Sequence, residues 1–171
     1  MRMNNKKGVS TIVTVVLLIL VSITAVALIA AFVVPFIKGS LSQSNECYAT
    51  LGKVDVVAGS NTCFDATTNT VRVNIKKGFV EGSEIKAVAV VLSGDGKSKR
   101  YDVSNGGMSA NIRELSGSYN TALSLPADGE SNTYVFNVTD AGMTVVYAEV
   151  SPILSSDKVC EAAKAEIPTC A

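Results

Sequence analysis

The chain contains no histidine and no tryptophan. Without imidazole the commonest general base is missing, and so is the usual partner of a Ser or Cys nucleophile. Zinc sites lose their usual nitrogen ligand, and the four cysteines contain no C-x-x-C pair. Asp and Glu are scattered, with no paired spacing that suits acid–base work. Gly94-x-Gly96 and Gly106-Gly107 lack a following helix and a Lys-Ser/Thr ending, so they are turns and not phosphate loops. No stretch alternates Asp and Asn before a Gly and a Glu, as a calcium loop requires. The expectation is therefore no catalytic residue, no metal and no cofactor, and a protein that is not an enzyme. A Ser–Lys arrangement is the one catalytic alternative left open.

Charge is also missing locally. From Val9 to Ile37 there is no charged side chain, in a chain of 171 residues with 15 basic and 15 acidic side chains overall. The first eight residues hold Arg2, Lys6 and Lys7 and no acid. Without them 12 basic residues face 15 acidic ones, a charge of −3. No basic patch remains to attract nucleic acid. Lys97, Lys99 and Arg100 sit beside a turn and read as a solvated hairpin edge.

What is present is one long apolar run followed by an ordinary polar domain. About 20 apolar residues span a bilayer core, and Val9–Ile37 is longer. Read as one helix, the run is about 43 Å long. Pro35 near its end marks a kink or the point of exit from the apolar phase. A cleavable secretory signal is a competing reading, because Ala25-Val26-Ala27 offers a small-x-small site. Against it, the run continues through Leu28, Ile29, Phe32, Val33, Val34, Phe36 and Ile37. A product cut there would begin with an exposed apolar tail, each larger residue costing about 1.5–3 kcal/mol in water.

Lys6-Lys7-Gly8 stands directly before Val9, where charge stops and the apolar run begins. This junction resembles the class III signal sequence of archaeal type IV prepilins. The stretch from Gly8-Val9-Ser10-Thr11 to Phe36-Ile37 resembles the N-terminal helix of archaeal pilins and archaellins. The resemblance covers about the first 40 residues and the general layout of the rest. It implies cleavage after Gly8 by a prepilin peptidase, with Val9 as the new N-terminus. The run lacks the acidic residue of bacterial-type pilins, a departure that favours an archaeal source.

A filament core also needs helices that pack against copies of themselves. Ser10, Thr14, Ser22, Ala25, Ala27, Ala30 and Ala31 are small enough to let helix backbones approach closely. Ser10 and Thr14 share a face, with hydroxyls able to bond their own helix carbonyls. The resemblance implies a homo-oligomer through this helix bundle, assembled on a membrane platform. The basic residues before the helix place the N-terminus inside and the head outside. The protein is then expected in the membrane before assembly and in an extracellular surface filament afterwards.

The organisation expected is a leader over 1–8, an apolar helix over 9–38, a flexible polar linker over 39–46 and an extracellular head over 47–171. The fold class is α+β: a long helix, then an antiparallel, immunoglobulin-like β-sandwich. Val71, Val73 and Ile75 alternate with Arg72, Asn74 and Lys76 as a half-buried strand does. Ile85–Leu92 is almost all apolar and reads as a central strand buried on both faces. Gly94-Asp95-Gly96 turns the chain into Ser98–Val103 as a hairpin. Val54–Val57 and Phe64 flank a turn at Gly59-Ser60-Asn61, and strands are expected around Tyr134–Val138 and Val145–Val150. Met108–Leu115 is expected as a short helix.

An even cysteine count beyond a membrane segment reads as two disulfides, with four buried free thiols as the alternative. Closeness in sequence pairs Cys47 with Cys63 and Cys160 with Cys170. Asn137-Val138-Thr139 is the sole N-x-Ser/Thr sequon, and Asn137 is expected to point outward as a glycan acceptor. Two functions rival the structural pilin used in attachment: an archaellin, and a monomeric membrane-anchored β-sandwich binding module.

Overall fold

A computed structural model describes residues 7–80 and 84–170, with stretches 7–11 and 39–45 described as backbone only. The chain divides into two compact units, Met1–Asn45 and Glu46–Ala171.

The described residues of the first unit are helical. The element α1 runs Lys7–Thr50, 44 residues, and its last turns belong to the second unit. Pro35 lies inside it. The ring removes one amide donor, so the carbonyl four residues back loses its intrahelical partner, yet the helix continues. The polar stretch 39–46, expected as a flexible linker, is instead helical. Extending an existing helix adds one hydrogen bond per residue fixed and avoids the cost of a new nucleus. No proline follows Pro35 before the helix ends, and one glycine costs only about 1 kcal/mol.

The second unit is two antiparallel sheets. Its strands are β1 (Val54–Val56), β2 (Cys63–Asp65), β3 (Thr70–Lys77), β4 (Ile85–Gly94), β5 (Lys97–Ser104), β6 (Ile112–Glu114), β7 (Ser131–Asn137), β8 (Tyr147–Leu154) and β9 (Ala163–Glu166). One sheet has the order β1-β3-β7-β6, with β2 also paired to β3. The other has the order β5-β4-β8-β9. All named pairings are antiparallel.

The alternation in β3 sends Val71, Val73 and Ile75 inward, each at most 1% exposed. They join Val88, Val90 and Leu92 of β4, Tyr134 and Phe136 of β7 and Val150 of β8 in one core between the sheets. Apart from the exposed Lys86, strand β4 is buried or half-buried on both faces, as its almost wholly apolar stretch Ile85–Leu92 predicts. Ala87 and Ala89 form a second, small cluster with Ile153 away from the main core. The β4–β5 hairpin turns on Asp95 and Gly96, both at positive φ (52° and 73°). A two-residue turn with both residues left-handed matches the twist of the flanking strands, and Asp-Gly is a preferred pair for it.

Met108–Leu115 is not a helix. Met108 makes an isolated bridge to Ala122, and Ile112–Glu114 is β6, paired with Phe136, Val135 and Tyr134. Burial of Ile112 (2% exposed) and the free edge of β7 decide the matter over local propensity.

Candidate functional site

Two features stand out: an apolar helix whose described side chains from Ile12 to Lys38 are all exposed, and the disulfide-clamped β-domain that follows. Within α1 the segment Ile12–Lys38 is 27 residues, and the 18-residue window that defines it has a mean hydropathy of 3.1 and no buried residue. It is long and apolar enough to cross a membrane. Large side chains are exposed on every side of it: Leu18 68%, Phe32 72%, Phe36 74%. A surface helix of a globular protein shows a polar face, and this exposed one has none.

The polar atoms in this segment are handled internally. The Ser22 hydroxyl donates to the Ile19 carbonyl at 2.8 Å, and the Thr24 hydroxyl to the Val21 carbonyl at 2.9 Å. Such back-bonding lets a hydroxyl sit in an apolar phase without an unmet donor. At about 100° per residue, Thr14, Ser22 and Ala25 share roughly a quarter of the helix circumference, while Ala30 falls outside that arc. Lys6 lies outside the described residues, and Lys7, Gly8, Val9 and Ser10 are described only as helical backbone.

The head is closed by two disulfides, and their pairing differs from that expected. Cys47 joins Cys160, and Cys63 joins Cys170, across sequence separations of 113 and 107 residues. The topology explains this. Cys160 follows β8, and its amide donates to the Pro152 carbonyl at 3.0 Å. The tail runs parallel to β2: Phe64 donates to the Pro168 carbonyl and Cys170 donates to the Phe64 carbonyl, both at 2.8 Å. Local loops of 10 to 16 residues lose to a tail that acts as an added strand segment.

The turns Glu46–Thr50 are fixed to the β-domain beside the first disulfide. Glu46 Oε2 accepts from Lys158 Nζ and from Ser156 Oγ, both at 2.9 Å. The Lys158 hydrogen bond, then that of Ser156, holds the Glu46 carboxyl below its ordinary range. Neither Glu46 nor Lys158 is prominent in the sequence, because 112 residues separate them.

Asn137 closes β7 and is half-buried, facing away from Phe136 and Val138, which are at most 1% exposed. Its Oδ1 accepts from the Thr139 amide at 2.9 Å, and its carbonyl accepts from the Tyr101 hydroxyl at 2.9 Å. Burial pushes the Tyr101 phenol up to about 12, so it remains a donor at neutral pH. Among the described residues no group of three or more His, Cys, Asp or Glu could hold a metal ion. No family model matches the chain, and no curated protein matches it.

Proposed function

We propose that this chain is a pilin, the structural subunit of an archaeal type IV pilus-like surface filament used for attachment, and that its role is not catalytic. The observation that carries this reading is Ile12–Lys38, a rod of 27 helical residues, apolar on every side. Left in water, such a rod costs on the order of tens of kcal/mol by area arithmetic. Two environments relieve that cost: a bilayer, and a bundle of identical helices. Transfer between them is a near-balanced exchange, which is what assembly from a membrane requires.

The junction Lys6-Lys7-Gly8 before Val9 supports removal of a leader by a prepilin peptidase. Arg2, Lys6 and Lys7 favour an inside N-terminus, and two disulfides favour an oxidising compartment for the head. We read the head as an immunoglobulin-like sandwich, on the three passages from sheet to sheet after β3, β5 and β7. The partners are then further copies of the chain, the peptidase and a membrane assembly platform.

The test is the N-terminal residue and oligomeric state of protein recovered from shed surface filaments. The expected result is filaments whose subunit begins at Val9, and a Gly8→Val variant that stays full length in the membrane. A lone, untrimmed membrane species would instead favour the anchored binding module. Loss of swimming with the filament would favour the archaellin.

A further inference from the structure

The outer face of the β1-β3-β7-β6 sheet carries two arginines in one row. Arg72 of β3 pairs with Val135 of β7, and Val135 pairs with Arg113 of β6. Directly paired residues point to the same face of a sheet, so both guanidinium stems leave on the same side, about 10 Å apart at the backbone. Val135 between them is 2% exposed, yet it belongs to neither hydrophobic cluster. It lines the same outer-face depression as the two arginines.

Neither arginine forms an ion pair among the described residues. Arg113 is aimed by its own loop. Its Nη1 donates to the carbonyls of Leu115 (2.9 Å), Glu114 (3.3 Å) and Gly117 (3.3 Å), and its guanidinium lies 5.5 Å from the centre of the Tyr119 ring. The nearest acid in sequence, Glu114, is taken by the amide and hydroxyl of Ser124 at 2.8 and 2.6 Å. Both arginines line a depression of about 460 Å³ with Tyr119, Asp65, Thr70 and Asn137. Arg72 also lines a neighbouring depression of about 470 Å³ that runs to Thr169 beside the second disulfide.

We propose that this groove binds an acidic oligosaccharide, a chain of sugars carrying carboxylates. Neither guanidinium has a carboxylate partner among the described residues: the Arg72 fork and the edge of Arg113 away from its loop-bound Nη1 offer paired donors to carboxylate. The Tyr119 ring offers an apolar face for a sugar ring to stack on. Asp65 selects among anionic ligands. It is an acceptor inside the groove, which opposes a ligand bearing only negative groups and suits one whose carboxylate is surrounded by hydroxyl donors. The continuation past Arg72 suits a chain over a single ion. The groove lies wholly within the β-domain, so it stands or falls independently of filament assembly.

The test uses the full chain in detergent micelles carrying Thr139→Ala, which removes the sequon beside the groove while leaving Asn137 in place. Binding of a galacturonic acid hexamer is measured by titration calorimetry. The expected result is saturable one-site binding that weakens with added salt, and at least tenfold weaker binding in Arg72→Gln and in Arg113→Gln. Arg113 also holds its loop, so Arg72→Gln decides the matter if Arg113→Gln melts early, because the Arg72 side chain makes no hydrogen bond among the described residues. The proposal is overturned by no binding, by unchanged affinity in Arg72→Gln, or by equal affinity for a neutral glucose hexamer. Tighter binding of a poly-glutamate peptide overturns it in favour of an acidic polypeptide partner.

Discussion

Glu46 shows how one side chain couples the last turns of α1 to the β-domain. Its carboxylate receives the Lys158 ammonium and the Ser156 hydroxyl, which depress its folded pKa. A depressed carboxylate contributes stability that is complete above the unfolded pKa, about 4.3. The contribution is lost as pH falls through the lower folded value. Wild type should therefore melt above Glu46→Gln at pH 7, and the gap should narrow progressively as pH falls below the ordinary carboxylate range in a thermal titration followed by circular dichroism. A gap that persists unchanged at the acid end would mean that ionisation of Glu46 is irrelevant. The effect is small, because exposed pairs are weak. None of this was legible from residue types, since a lone Glu after a polar stretch and a Lys in a late turn carry no mark of each other.

Elements were more legible, and the places where they were not are instructive. Strands β3 and β7 announced themselves by period-two alternation and β4 by a nearly continuous apolar run, because a buried sheet face leaves that imprint directly, while β5 was marked by the Gly94-Asp95-Gly96 turn before it. Strand β6 did not. Three residues are too short for a period, and only pairing with β7 makes them a strand. The same dependence governs Gly94. In sequence it is part of a turn signal, but a Cβ built there would stand 1.7 Å from the Thr144 carbonyl oxygen. The segment before β8 crosses at this point, fixed by Asp95 Oδ2 accepting the Thr144 amide at 2.6 Å and by the Ser93 carbonyl accepting the Val146 amide at 2.9 Å. Gly94→Ala should cost about 1–3 kcal/mol or more through forced backbone movement. Gly117→Ala, whose Cβ would meet only ordinary contacts at 3.6 Å, should be close to neutral. Chemical denaturation of the two variants compares them, and equal stability would show that the crossing segment yields freely.

At the scale of the whole molecule the two disulfides interlock, since each spans part of the other's loop. In the chain-entropy argument the first long loop is worth about 5 kcal/mol. Once it is closed, the second joins a shorter path and adds about 3.5 kcal/mol. Replacing Cys63 and Cys170 together by Ala should then cost about 3–4 kcal/mol, read by denaturant unfolding, and replacing all four should cost about 8 kcal/mol. Peptide mapping without reductant should recover Cys47 linked to Cys160 and Cys63 linked to Cys170. Recovery of Cys47–Cys63 would refute the topology as well as the pairing. The helix has its own whole-molecule consequence. The intact chain should require detergent to stay dispersed, and a chain that remained monomeric in plain buffer would show that Ile12–Lys38 is covered after all.

The sequence by itself determined the apolar helix, the position of most strands and the division between an uncharged rod and a polar head. Each of these is written in local patterns of hydropathy, which fix what a segment must bury before anything else is known. The tertiary structure alone decided which cysteines meet, that the stretch 39–46 is helical, that Ile112–Glu114 is a strand and that Arg72 and Arg113 share one face. Those outcomes depend on contacts between residues 40 to more than 100 positions apart, or on the surroundings of a short segment. The physical reason is that burial is a one-body preference readable residue by residue, whereas pairing is a two-body event that only a closed chain can choose.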